Sequence, residues 1–144
     1  MRQTEFLRRA CDPKTLKVGQ LMQDAVFTCA PGTDCLTISR LMTQHRFGSL
    51  PVVDEERNLI GLVTEYDLLQ LMINGRELSK VVVEDIMTRE VLTVTEEKSL
   101  TEVAELFQDR YVTRVPVVRE KRLVGILARR DLLFGYLQAS AYWS

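Results

Sequence analysis

The sequence predicts a mixed α/β (α+β) fold built from two copies of one unit, each running strand–helix–strand–strand–helix. Three observations predict it. The stretch Gly61-Leu62-Val63-Thr64-Glu65-Tyr66-Asp67-Leu68-Leu69 returns as Gly125-Ile126-Leu127-Ala128-Arg129-Arg130-Asp131-Leu132-Leu133. Each copy follows a Pro-Val-Val run, at Pro51-Val52-Val53 and at Pro116-Val117-Val118. Pro116 stands 65 residues after Pro51 and Gly125 stands 64 after Gly61, so the copies differ only in the turn between, by one residue. A length difference confined to a turn is expected of two copies of one supersecondary unit.

Residues 1–17 form a leader outside the repeat, with a short helix predicted over 4–10. Asp12-Pro13 ends that helix, because the residue before a proline avoids helical geometry. The first copy spans 18–73. It opens with an apolar turn at Val18-Gly19-Gln20-Leu21-Met22 and a brief strand over 25–29, and breaks at Pro31-Gly32. Cys35, Ile38, Leu41, Met42 and His45 then fall at helical spacing, with Thr33 or Asp34 as the N-cap. Leu50-Pro51-Val52-Val53 is a short buried strand, and residues 54–58 are a charged turn. Residues 59–63 form the next strand, followed by a tight turn and a helix over 65–72. Residues 74–82 read as an exposed linker with a turn at Asn74-Gly75.

The second copy spans 83–137 and repeats each step. Glu84-Asp85-Ile86-Met87 matches the opening turn, and Val91-Leu92-Thr93-Val94 the first strand. Leu100, Val103, Ala104 and Phe107 form an i, i+3, i+4, i+7 stripe. The tail, 138–144, carries Tyr142 and Trp143 after Tyr136. It either folds back on its own domain or meets another subunit.

Composition narrows the function. The chain has 144 residues, a formal net charge of −1, 46% hydrophobic residues and 27% charged residues of mixed sign. That balance argues against nucleic-acid binding, which needs a basic face. No stretch approaches the roughly 20 apolar residues of a membrane span. Three cysteines, Cys11, Cys29 and Cys35, with no secretion signal, point to free thiols in the cytoplasm. Cys29, Cys35 and His45 are too dispersed for a zinc site. Met22, Met42, Met72 and Met87 read as core filler. Nothing resembles a nucleophile–base pair, a phosphate-binding glycine loop or a dinucleotide fingerprint. The chain is therefore not expected to be an enzyme.

The ordered set, Pro-Val-Val and then Gly-x-x-Thr-x-x-Asp, found twice at one spacing, resembles a pair of CBS domains standing alone. The resemblance covers nearly the whole chain. It implies repeats packed about a pseudo-twofold axis, with clefts that bind adenine nucleotides (AMP, ADP or ATP) or, in some members, S-adenosylmethionine or dinucleotides. It further implies homodimers and an unnamed regulated protein, with no obligatory cofactor.

The site residues follow from the resemblance. Asp67 and Asp131 take the role of the family's ribose-binding carboxylate, and Thr64 that of a phosphate donor beside a helix N-terminus. One implied cleft joins Thr64 and Asp67 with Leu92, Thr113, Arg114 and Pro116. The other joins Asp131 and Arg130 with Phe27, Gly48, Ser49 and Pro51. Gly48 permits close approach of a ligand to the backbone. Arg114, Arg129 and Arg130 are candidates for phosphate pairing. Ala128 replaces the threonine in the second copy, and Glu65 adds a negative charge in the first, so the sites are expected to differ. Thr-x-x-Asp before an apolar helix is also a capping box, so the sequence leaves capping and ligand binding both standing. A structural assembly module with degenerate clefts is the alternative for the whole chain.

Overall fold

Two hairpins position everything else. The computed structural model describes residues 12–143, with side chains to residue 140. The helix predicted over 4–10, Cys11, and the side chains of Tyr142 and Trp143 lie outside the described residues. β1 (Ser49–Val53) pairs antiparallel with β2 (Leu59–Thr64), setting Ser49 opposite Thr64 and Val52 opposite Gly61. Leu50 to Val53 are all buried, so a continuous apolar run, proline included, forms a covered strand. The turn between them is held by Asp54, whose Oδ1 accepts from the N–H groups of Glu56 (3.0 Å) and Asn58 (2.8 Å). β3 (Arg114–Arg119) pairs with β4 (Arg122–Ala128) across a turn of only two residues, with Glu120 at φ 60°.

Among the described residues, five α-helices accompany the hairpins. The opening turn of the first copy closes into a one-turn helix, α1 (Val18–Leu21). α2 (Cys35–His45) is capped by Asp34, whose Oδ1 accepts from the Thr37 N–H at 2.9 Å. α2 buries Cys35, Ile38 and Met42, and leaves His45 exposed. α3 (Glu65–Ile73) continues directly from β2. α4 (Leu100–Arg110) has a reciprocal cap, Ser99 with Glu102, and buries Leu100, Val103 and Phe107. α2 and α4 both end in a left-handed residue, Arg46 and Tyr111. α5 (Arg129–Trp143) continues from β4.

The predicted first strand of each copy shortens to a single parallel bridge. Cys29 bridges Val52 and Val94 bridges Val117. Each residue makes two backbone bonds, its N–H to a proline carbonyl and its carbonyl from a valine N–H: Cys29 with Pro51 (3.0 Å) and Val53 (2.9 Å), Val94 with Pro116 (3.1 Å) and Val118 (2.9 Å). The 74–82 linker is only partly exposed. Leu78–Lys80 form a 3₁₀ turn, and Val81 is 3% exposed, its carbonyl accepting the Cys35 N–H at 2.8 Å. The apolar residues within this polar segment were the overlooked signal. Met42 and Met87 fill the core as expected, but Met72 is 60% exposed.

The described residues divide into two compact units that do not follow the copies in sequence. The β1–β2 unit comprises Phe27–Val91 with Lys121–Leu123, and the β3–β4 unit comprises the segment ending at Val26, Leu92–Glu120, and Val124 onward. Each unit therefore takes its opening segment from the other copy. In the β1–β2 unit Thr88 bridges Leu62, and a Cβ placed on Gly61 would lie 2.3 Å from Met87 Sδ. In the β3–β4 unit Gln23 bridges Ile126, and a Cβ on Gly125 would lie 2.6 Å from Met22 Sδ and 2.9 Å from the Gln23 carbonyl. The glycine of each repeated motif is there to admit a methionine.

Candidate functional site

In the β1–β2 unit the strand-to-helix corner is a complete capping box. The Thr64 hydroxyl accepts from the Asp67 N–H (3.3 Å), and Asp67 Oδ2 accepts from the Thr64 N–H (2.8 Å) and hydroxyl (3.1 Å). Capping thus uses one carboxylate oxygen, and Asp67 Oδ1 takes part in none of these bonds. Ser49 lies opposite Thr64, and the Gly48 carbonyl accepts the Glu65 N–H at 3.1 Å. Four predicted site residues, Gly48, Ser49, Thr64 and Asp67, therefore stand together. Glu65 lies close over Gly48, whose added Cβ would sit 3.2 Å from Glu65 Oε1. Phe27 is 48% exposed and packs against His45 and Phe47, with ring centroids 4.5 and 5.4 Å away. Pro51 is buried within β1, its carbonyl already bonded to Cys29.

The corner of the β3–β4 unit is built differently. Ala128 offers no hydroxyl. Asp131 Oδ2 accepts from the Ala128 N–H at 2.7 Å, and Oδ1 accepts from the Gln23 side-chain amide at 3.0 Å. Asp131 is 9% exposed. The Thr113 carbonyl accepts the Arg129 N–H at 3.1 Å, as Gly48 does for Glu65. Burial lowers the Arg114 guanidinium from its ordinary range, and the Asp131 charge offsets part of that, so the two groups are electrostatic neighbours. Thr113, Arg114 and Asp131 are thereby brought to one corner. Arg129 and Arg130 are exposed at the helix start. Leu92 packs half-buried against the core, and Pro116 is buried within β3.

Gln23 is the residue that sequence reasoning missed, 108 positions from its partner. A signal existed: both copies place a polar residue, Gln23 and Thr88, directly after the methionine of the opening turn. Among the described residues, no cluster of three or more His, Cys, Asp or Glu side chains could hold a metal ion. No described helix is long and apolar enough to cross a membrane.

The family model described as the CBS domain matches residues 18–74 and 83–137. The chain belongs to the CBS domain family. Among solved CBS-domain structures, CBSX2 in complex with AMP is 31% identical, with a TM-score of 0.76, covering 86% of this chain and 98% of that one. The CBS domain pair of MJ0100, solved with 5-methylthioadenosine and S-adenosyl-L-methionine, is 28% identical with a TM-score of 0.71, covering 83% and 95%. An uncharacterised protein of Methanopyrus kandleri is 31% identical over 122 residues, which is 83% of this chain and 62% of that protein. Inosine-5'-monophosphate dehydrogenase of Methanocaldococcus jannaschii is 30% identical over 118 residues, which is 81% of this chain and 23% of that enzyme.

Proposed function

We propose that this CBS-domain chain is a cytoplasmic, non-catalytic regulatory module that binds an adenine nucleotide (AMP, ADP or ATP) and thereby alters a partner protein. The observation that carries the reading is the aspartate at each strand-to-helix corner, Asp67 and Asp131, in a fold shared with structures solved around adenosyl ligands. A carboxylate fixed at a helix start can accept from both hydroxyls of a ribose. The first turn of the helix favours an anionic phosphate nearby. Arg114 and Arg130 supply guanidinium groups suited to phosphate. The resemblance adds Thr64, Leu92, Thr113, Pro116, Phe27, Gly48, Ser49 and Pro51 as candidate ligand-binding residues. Ligand and partner must change each other's affinity by the same factor.

The test is thermal unfolding of the wild type, Asp67→Ala and Asp131→Ala with AMP, ADP, ATP, NAD and S-adenosylmethionine. A ligand at 100 times its Kd adds about 2.7 kcal/mol. For a chain of this size that is a rise of several degrees in Tm. A rise with an adenosyl compound, lost in an aspartate variant, supports the reading; no rise with any of them overturns it.

A second reading, an assembly module, is favoured by one feature. Each unit has an apolar groove flanking its strand-following helix. One, of about 430 Å³, is lined by Phe107, Tyr111, Leu132 and Leu133. The other, of about 200 Å³, is lined by Met42, Leu68, Leu69 and Met72. Leu69 is 47% exposed, Leu133 66% and Tyr111 92%. Exposed apolar surface of this kind marks interaction sites, and we assign it to a homodimer contact. Leu69→Glu with Leu133→Glu should yield a monomer by light scattering; an unchanged mass would exclude these grooves.

A further inference from the structure

We infer that Gln23 occupies the hydrogen-bonding position on Asp131 that a ribose hydroxyl would take, so that the β3–β4 corner is self-occupied and Gln23 sets its affinity. The inference rests on the adenosyl-binding reading above. An ionised carboxylate is an acceptor only, and a ribose diol must be met by free acceptor positions. At Asp131 both oxygens are engaged, Oδ2 by the Ala128 N–H at 2.7 Å and Oδ1 by Gln23 Nε2 at 3.0 Å, and the residue is 9% exposed. With each oxygen already accepting one bond and only 9% of the residue exposed, a diol that engages both oxygens competes with the Gln23 amide for Oδ1.

The geometry makes that exchange feasible. The Gln23 backbone is pinned by two bonds to Ile126, at 2.8 and 2.9 Å, which keep its side chain at the corner. Gln23 is itself exposed, so the amide can swing into water and be satisfied there. Arg114 and the Ala128 N–H stay beside Asp131, so the carboxylate is not stranded when the amide leaves. The β1–β2 unit provides the control. Thr88, in the equivalent slot, has the same backbone bridge, to Leu62, with both bonds at 2.9 Å. Its side chain is shorter, and Asp67 Oδ2 is held by Thr64, three residues away. The β1–β2 corner is thus closed by a local residue, and the β3–β4 corner by one distant in sequence.

Displacing one neutral donor from a carboxylate weakens binding by roughly 2- to 10-fold. The experiment is calorimetric titration of the full chain with AMP and, separately, S-adenosylmethionine. The chains compared are the wild type, Asp67→Ala, Asp67→Ala with Gln23→Met, and Asp67→Ala with Gln23→Ala. Methionine keeps the bulk of glutamine and removes the donor; alanine removes both. On the Asp67→Ala background, where only the Asp131 corner is read, both Gln23 changes should tighten binding by roughly 2- to 10-fold. Unchanged or weaker binding in both overturns the role of Gln23 and leaves the nucleotide reading intact. Binding to the wild type that Asp67→Ala abolishes, unrestored by either Gln23 change, overturns it in the same way. No binding of either probe to any chain overturns the nucleotide reading, and the role of Gln23 with it.

Discussion

At the head of α3 a threonine hydroxyl and an aspartate carboxylate hold each other's backbone amides. At the head of α5 an alanine stands in the threonine's place, and the aspartate is held by a glutamine 108 residues away. The first arrangement is local, made within four consecutive residues. The second depends on tertiary structure, because Gln23 reaches Asp131 only once the β3–β4 unit has formed. The same aspartate thus serves two grades of order. One corner survives wherever α3 survives, and the other reports whether its whole unit is assembled. The comparison also separates the two explanations of the repeated aspartate. Capping accounts for Asp67 Oδ2 alone, and Asp131 persists without a capping hydroxyl.

The widest split between the corners should come from the aspartates themselves. Asp131→Asn puts an amide N–H₂ or a weaker acceptor against two donors in a buried place, and should cost about 1–3 kcal/mol. Asp67→Asn, half-exposed and with one oxygen engaged, should cost about 0.5–1.5 kcal/mol. Chemical denaturation of the two variants checks the order; equal losses would remove the distinction. Next come the glycines. Gly125→Ala meets a backbone carbonyl as well as Met22, and should cost about 1–3 kcal/mol by overpacking. Gly61→Ala meets only the flexible Met87 side chain and should cost less.

A smaller effect is expected at the caps. Thr64→Ala should lose about 0.5–2 kcal/mol, and Ala128→Thr should regain part of that at the other corner. If Ala128→Thr destabilises, the corners differ in more than the missing hydroxyl. A further contrast, invisible at neutral pH, is in alkali. The Cys29 thiol lies in the β1–β2 core, and burial, with the neighbouring Cys35, pushes it up from 9.0 to about 12. Its unfolded form ionises first, so its contribution is complete below pH 9 and is lost as pH rises toward 12. The equivalent residue of the other unit is Val94, so Cys29→Val should remove that alkaline slope with little other change.

Much of this was legible in the sequence. The doubled motif gave the copies, and apolar runs gave the hairpins. Asp34 could be read as a cap from its place before the stripe of α2. The capping box at Thr64 and Asp67 was legible too, because its partners are three residues apart. What was not legible was exchange between the copies. Periodicity reports which residues of an element are buried, not which copy buries them. Gly61 against Met87 and Gly125 against Met22 follow from chain path, and so does Gln23 at Asp131. The first strands were overestimated for a related reason. Val91 to Val94 have strand composition, but only Val94 finds a partner, and a strand needs a continuous ladder as well as propensity.

The opening segments have a consequence for synthesis. A chain emerging from the ribosome makes residues 12–26 about a hundred residues before the glycine they cover, residue 125, and the carboxylate they meet, residue 131. Those early residues must wait, apolar side chains exposed, until residues 125–131 have been made. The β1–β2 unit draws chiefly on Phe27–Val91 and can largely form before then. Closing the long interval from Gln23 to Ile126 therefore belongs to the end of folding, where contacts of large sequence separation slow the process. Leu16, Val18 and Leu21, buried in the finished molecule, are the side chains a chaperone would meet in the nascent one.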